Sequence, residues 1–458
     1  MIDKAPARTR LRRILRTTGA GLVIGAAALG IAACGSSSDD SEEPASTSGG
    51  AAQATGFVAG EPEPGTDIPS VDVKFGMRPY ADNAFYYVGI EGGFYEDNGI
   101  AITPPPYGIK NNENAIAQML NDTVDMQAMY TPSLIPTYKT DDKLKQVMFT
   151  DYFNGFALLT PPGDGVKPVT EYLDEGMDFK EAMAAALKPV EGKTLVVAPL
   201  LDNREFVRQA FEIAGLEQPK LQVLDDPESI VAARSGRIDF ASPTGAPTTL
   251  QFEREGWVAL VRPNDIIEHG DEGGTDATAL AATVGLASNE DWINENPNAV
   301  LRFVSATYRT IDAINNDPQA LEDYATYLNS LTGLDTTGKD LEALFARYNP
   351  LTDFEFGETY CQDDSETLYY GNAYKGIIDA YVKQGAVDEG KVTPDDLVWF
   401  CGIWETLNDY KSQTEDLIED AGDLTGEAKT QLDRAQELYD QFNYLDAFRY
   451  ATAATSGT

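Results

Sequence analysis

The stretch YYVGIEGGFYEDNGI at residues 86–100, preceded by VDVKFGM at residues 71–77, decides the fold. Residues 71–77 alternate apolar and polar side chains, which predicts a strand with one buried face. Residues 84–97 place apolar and glycine positions at helical spacing, Gly99 ends this helix, and residues 100–103 form the next short strand. Strand, helix and strand in this order are the repeating unit of an open α/β sheet.

The same alternation continues along the chain. It predicts strands at 124–129, 146–150, 194–198, 221–224, 238–241 and 278–287, and helices at 113–120, 204–214, 228–235, 297–315 and 427–450. This order indicates an α/β protein with two lobes of open, mostly parallel sheet flanked by helices. We expect lobe 1 at 68–160 and 278–350, lobe 2 at 161–277, and a helical C-terminal extension at 351–458.

Residues 1–33 have the organisation of a removable export signal. A basic head precedes an apolar run from Leu22 to Ala33, and the small pair Ala32-Ala33 stands before Cys34. This is the pattern of an n-region, an h-region and a cleavage site. A transmembrane anchor is the alternative, but glycines interrupt the run and it falls short of the roughly 20 apolar residues that span a bilayer.

Cys34 and the glycine and serines after it resemble the lipobox of bacterial lipoproteins. The resemblance implies that Cys34 carries a lipid and anchors the protein to the outer face of the cytoplasmic membrane. Residues 35–67 are small and polar, with Phe57 and Val58 the only sizeable apolar groups. Such a segment buries too little surface to offset its ordering entropy, so residues 34–67 are predicted to be a disordered tether.

The chain is strongly acidic. Its 74 acidic and 34 basic side chains give a net charge of −40, and removal of residues 1–33, with six basic groups and one acidic group, leaves −45. Nucleic acid and anionic membrane surfaces need clustered Lys and Arg and are excluded as partners. The acidic groups are spread along the chain, which favours a solubilising surface, although attraction of a cationic ligand is an alternative.

Two cysteines remain once Cys34 is set aside. Cys361 and Cys401 form an even pair in an exported protein, which predicts a disulfide. Metal binding is the weaker alternative, because neither cysteine has the neighbouring ligands of a zinc site.

Several short motifs together resemble a known family. Residues 71–76 and 86–100 are similar to the opening of solute-binding proteins for nitrate, sulfonates, taurine and thiamine pyrimidine precursors, and LNDTVD at 120–125 resembles their next signature. GKTLVV at 192–197 and RSGRID at 234–239 resemble the equivalent pieces of the second lobe. The resemblance covers residues 70 to 300 and implies a type II periplasmic-binding-protein fold. The sequence departs from the pattern after residue 320.

In such a bilobal fold the ligand lies where strands end and helices begin. The resemblance therefore implies a ligand site in the loops after the strands of both lobes. The candidate residues are Arg78, Tyr80, Asp82, Asn83, Tyr107, Asn111, Tyr130, Thr131, Tyr152, Asn154, Asp202, Asn203, Arg204, Ser242 and Thr244.

The candidate residues permit ligands of either charge. Tyrosines recur in the loops of the first lobe, where their rings would hold a planar ligand or a cation, or would only pack at the rim. Arg78 and Arg204 would grip a carboxylate or sulfonate. Asp82, Asp151 and Asp202 lie in equivalent loops and would neutralise these arginines instead, so the sign of the ligand charge stays open.

The sequence favours binding over catalysis. His269 is the only histidine, it lies in an acidic glycine-rich loop where solvation is expected, and neither nucleophile elbows nor phosphate loops occur. Together with the family resemblance, this implies a monomeric, lipid-anchored receptor, without cofactor or metal, that passes a small polar or heteroaromatic molecule to the permease of an ABC importer. A fold-related thiamine-pyrimidine synthase and an extracytoplasmic scaffold or adhesion protein are the alternatives.

Overall fold

A computed structural model describes residues 56–78, 80–102, 107–108, 112–153, 155–243, 245–269, 280, 283–332 and 335–456. The predicted export signal, Cys34, Asn111, Asn154 and Thr244 lie outside the described residues. Within the described ranges, every helix is too short or too polar to cross a bilayer.

The strands are β1 (Val71–Val73), β2 (Phe75–Met77), β3 (Ile100–Ile102), β4 (Tyr107–Gly108), β5 (Met126–Tyr130), β6 (Leu144–Tyr152), β7 (Leu158–Thr160), β8 (Thr194–Val197), β9 (Lys220–Val223), β10 (Ala241–Ser242), β11 (Val258–Val261) and β12 (Thr283–Asn289). The helices up to the last strand are α1 (Ala81–Ala84), α2 (Tyr86–Glu91), α3 (Phe94–Asp97), α4 (Asn112–Leu120), α5 (Val169–Asp174), α6 (Phe179–Leu187), α7 (Leu201–Ala214), α8 (Asp226–Arg234), α9 (Ala246–Arg254) and α10 (Pro263–Glu268). The later helices are α11 (Glu290–Glu295), α12 (Pro297–Asn316), α13 (Pro318–Thr332), α14 (Gly338–Arg347), α15 (Phe356–Gln362), α16 (Tyr370–Lys383), α17 (Pro394–Leu397), α18 (Phe400–Asp420), α19 (Gly426–Asp440) and α20 (Tyr444–Thr455). Two 3₁₀ helices span Thr131–Lys139 and Lys188–Val190.

Two five-stranded sheets have the same topology. The first sheet has the order β4-β2-β5-β12-β6 and the second the order β9-β8-β10-β7-β11. In each sheet the strand at the fourth place runs antiparallel to its neighbours, and the others run parallel to one another. These two antiparallel strands, β12 and β7, are the ones that enter from the other sheet. The predicted mostly parallel α/β architecture is therefore confirmed.

The chain passes between the sheets twice. It leaves the first sheet after β6, enters the second at β7, and returns at β12. The first passage therefore precedes Leu158, a few residues earlier than the expected lobe boundary at residue 160. The division into lobes at the other expected boundaries stays a prediction.

Backbone geometry explains two helices that the sequence pattern joins wrongly. The single helix expected at 84–97 is divided, because Gly93 adopts a left-handed φ of 73° between α2 and α3. The helix expected at 427–450 is also divided, since Phe442 has a φ of 66° and the Asn443 side chain caps α20.

The C-terminal helices share the core of the first sheet. Helix α12 lies against that sheet, with the ring of Phe303 5.1 Å from Phe75 and 4.8 Å from Tyr95. The expected disulfide between Cys361 and Cys401 is present and joins α15 to α18. A buried ion pair joins α12 to α20, because Arg302 donates two hydrogen bonds of 2.8 Å to Asp446.

Residues 56–67 correct the expectation of a tether that is disordered up to residue 67. The ring of Phe57 is buried, and the guanidinium of Arg449 on α20 donates hydrogen bonds to the carbonyl oxygens of Glu63 and Asp67. Tyr450 donates to the carbonyl of Thr66. These contacts hold the segment along α20, and the sequence pattern could not reveal them because the partners are nearly 400 residues away.

Candidate ligand-binding site

Strand ends of the first sheet lie along one edge. Strands β2, β5 and β6 run parallel, so the residues at or just after their ends, Arg78, Tyr130 and Asp151, lie at the same side of the sheet. Thr283, the first residue of the antiparallel β12, pairs with Tyr152 there. In α/β proteins this edge is where ligands bind.

Asp202 joins elements of both sheets. It lies in the first turn of α7, which follows β8 of the second sheet. The hydroxyl of Tyr130, at the end of β5, donates a 2.8 Å hydrogen bond to its carboxylate, and the hydroxyl of Tyr381 on α16 donates one of 2.9 Å to the same oxygen. We call these three residues the Asp202 cluster. Burial raises the pKa of Asp202 to about 6, and the two hydroxyl donors oppose this shift.

Asn203 and Ser242 fix the start of α7. The amide oxygen of Asn203 accepts a hydrogen bond from the backbone of Ala198, and its amide nitrogen donates to the hydroxyl of Ser242 at 2.9 Å. Both side chains are fully buried. They connect α7 to the ends of β8 and β10, and so they position Asp202.

A second acidic group lies at the edge of the first sheet. Asp151 is fully buried near the end of β6, and its carboxylate accepts hydrogen bonds of 2.8 Å from the hydroxyl of Thr150 and the amide nitrogen of Asn349. Burial raises the pKa of Asp151 well above its usual value, and the negative charge of the neighbouring Asp82 raises it further. We call Asp82 and Asp151 the carboxyl pair.

Arg78 partly balances the carboxyl pair. Burial raises the pKa of Asp82, while the positive charge of Arg78 and a hydrogen bond from Asn83 lower it. The guanidinium of Arg78 also stacks on the ring of Tyr80, 4.3 Å from its centroid. Burial raises the pKa of Tyr86, and the charges of Tyr95, Asp151 and Asp82 raise it further.

A further set of contacts joins the second sheet to residues near Asn349. Glu253 and Arg254 end helix α9, and they bind Tyr348 and Asp340 respectively. Arg262 pairs with Glu253 and lies over the ring of Tyr348, 5.0 Å from its centroid. The positive charge of Arg262 is therefore compensated within this contact.

The remaining predicted site residues lie in different surroundings. Thr131 is buried, with its hydroxyl 2.8 Å from that of Thr283 and 2.6 Å from that of Tyr374. Tyr152 packs its ring against Phe149 and Phe356. Arg204 is exposed on α7, and Tyr107 belongs to β4. The ligand roles of all these residues stay predictions.

Sequence reasoning missed the residues that the C-terminal part contributes. Tyr374 and Tyr381 on α16 reach Thr131 and Asp202, and Asn349 reaches Asp151. Tyr370, Tyr374 and Tyr381 lie four and seven residues apart, which places them near one face of a helix. This spacing indicates that the three tyrosines lie near one another on the helix. It does not reveal which residues that face of the helix contacts.

Among the described residues, no group of three or more His, Cys, Asp or Glu side chains could hold a metal ion. His269 differs from the expected solvated loop residue. It ends α10 and stacks on the ring of Phe179 at 4.9 Å.

Comparison with known proteins gives a likeness of fold only. Neither a family model nor a curated protein matches this sequence. A ligand-binding component of an ABC-type import system from Staphylococcus aureus, solved with zinc bound, has 11% identity and a TM-score of 0.50 over 73% of this chain and 98% of its own. The periplasmic aliphatic sulphonate binding protein of Escherichia coli has 12% identity and a TM-score of 0.51 over 74% and 99%.

A third solved structure shows a similar degree of likeness to this chain. The alkanesulfonate-binding protein of Xanthomonas axonopodis pv. citri, bound to MOPS, has 12% identity and a TM-score of 0.50 over 73% of this chain and 99% of its own. Each of these proteins is matched over almost its whole length. The protein therefore has the fold of the ligand-binding components of ABC-type import systems.

Proposed function

We propose that this protein is an extracytoplasmic receptor that binds a small polar or heteroaromatic molecule and delivers it to the permease of an ABC importer. In this proposal the protein is a monomer, Cys34 carries the lipid that anchors it, and its role is binding rather than catalysis.

The contact between Tyr130 and Asp202 is the observation that carries the proposal. It joins the end of a first-sheet strand to the start of a second-sheet helix, at the edges where strands of both sheets end. A contact at this place is what closure of two lobes around a solute would form, and such closure is a common way to signal the loaded state.

A binding screen tests the proposal. The purified full chain would be heated with amino sulfonates, nitrate, pyrimidines, polyamines and small peptides, and its unfolding temperature followed. A ligand at 100 times its Kd stabilises the folded form by about 2.7 kcal/mol. Tyr130→Ala should weaken binding of the compound found in the screen. Tyr172→Ala is the control and should not weaken it, because the Tyr172 hydroxyl donates to the carbonyl of Gly165 and not to the Asp202 cluster. A folded protein that binds none of these compounds would contradict the receptor role.

A further inference from the structure

Two asparagine side chains donate hydrogen bonds to the carboxyl pair. Asn349 donates its amide nitrogen to Asp151, and Asn83 makes a side-chain hydrogen bond to Asp82. This is the amide orientation that a carboxylate requires, because only the nitrogen donates. The amide oxygen of each asparagine therefore does not take part in its contact with the carboxyl group.

These two amide oxygens lack hydrogen-bond partners among the described residues, although both side chains are almost completely buried, at 2% exposure for Asn83 and 1% for Asn349. A buried polar atom without a partner is costly, and in a native protein it calls for an explanation. Here two such acceptors lie next to two carboxyl groups. A ligand that donates several hydrogen bonds would satisfy all of them.

The local charge has the matching sign. Arg78 is the cation that acts on Asp82, and Arg262 is paired with Glu253. Asp151 is held by the neutral groups Thr150 and Asn349. One carboxyl of the pair is therefore without a compensating cation among the described residues, and a cationic ligand placed there would favour the ionised form of both groups.

We propose that the carboxyl pair, with the amide oxygens of Asn83 and Asn349, binds the protonated amino group of the solute. An ammonium group has three N–H donors and no acceptor, which fits a site made of acceptors. This inference rests on the proposed function and narrows it, because it assigns the ligand to the amines rather than to simple anions such as sulfonates or nitrate.

Calorimetric titration of the full chain tests this assignment. The cationic probes are putrescine, ethanolamine, tetramethylammonium and 4-aminomethylpyrimidine, and the anionic probes are nitrate and ethanesulfonate. We expect an N–H-bearing amine to bind, and tetramethylammonium, which has no N–H donor, to bind at least tenfold more weakly.

Asp151→Asn and Asp82→Asn each keep the shape of the side chain, and each should weaken binding of the amine at least tenfold. Asp164→Asn, which removes the same charge from an exposed loop, should leave the affinity unchanged. If one of these two variants does not fold, the other still tests the amine assignment.

The outcomes separate this inference from the receptor role. Binding of an anion alone, or amine binding that neither aspartate variant weakens, would overturn the amine assignment and leave the receptor intact. A folded protein that binds no probe of either charge, and no compound of the wider screen, would refute the receptor role and the amine assignment together.

Discussion

At the scale of single residues, Asp202 is a buried carboxyl that the fold holds with two tyrosine hydroxyls. Its pKa in the folded protein is about 6, above the value of about 3.9 for an unperturbed aspartate. The folded state therefore binds this proton more tightly than the unfolded state. Its stabilising contribution is complete below about pH 4 and is lost as the pH rises through 6.

Replacement of Asp202 by Asn should remove this dependence. The free energy of unfolding of Asp202→Asn, relative to the parent, should rise between pH 4 and pH 7 by up to about 3 kcal/mol, the equivalent of two pKa units. Urea titrations at several pH values measure it, with Asp164→Asn, in an exposed loop, as the control. A constant difference for Asp202→Asn would show that Asp202 titrates normally.

At the scale of elements, the sequence predicts the long periodic helices better than the short elements, and it predicts their packing partners poorly. Helix α12 was expected at nearly its observed bounds because its apolar face repeats over 20 residues. The division of the expected helix at 427–450 depends on one left-handed residue, Phe442, a conformation for which Phe is an unusual choice. The order of strands along the sequence predicts which loops form the candidate site. Tyr381 and Asn349 reach this site through contacts between distant parts of the chain, which no local sequence pattern reveals.

The buried ion pair between α12 and α20 gives an element-scale prediction. Asp446→Ala leaves the guanidinium of Arg302 buried and without this partner, so we expect a loss of about 3–5 kcal/mol in the free energy of unfolding. Asp433→Ala, which breaks an exposed pair with Lys429, should cost less than about 0.5 kcal/mol. Urea unfolding compares the two, and equal losses would argue against the importance of the buried pair.

The disulfide between α15 and α18 gives a second prediction at the scale of elements. Its two cysteines are 40 residues apart. In the chain-entropy model, closure of such a loop stabilises the fold by about 4 kcal/mol. The double variant Cys361→Ser, Cys401→Ser should lose stability of this order, and reductant should lower the parent to the same level without affecting the variant. An unchanged denaturation midpoint would contradict this expectation.

At the scale of the whole described unit, the second sheet is connected to the rest by two sets of polar contacts. One is the Asp202 cluster, and the other joins α9 to Asp340 and Tyr348. Both depend on residues contributed after β12. Residues that follow β12 therefore take part in the relation between the sheets.

Loss of the hydroxyls in the Asp202 cluster should favour separation of the sheets. The double variant Tyr130→Phe, Tyr381→Phe leaves a buried carboxylate without its two donors, and each hydrogen bond to a charged group contributes about 1.5–3 kcal/mol. X-ray scattering should show a larger radius of gyration than in the parent, while Tyr172→Phe should match the parent. An unchanged radius would mean that other contacts hold the sheets together.

In the proposed receptor, the bond from α16 to Asp202 also bears on the rate of solute binding. It joins α16 to the start of α7, and solute would enter only while this bond is broken. The observed association rate should then level off at high solute concentration, at the rate of spontaneous opening. Stopped-flow mixing would reveal the plateau, and Tyr381→Phe should raise it.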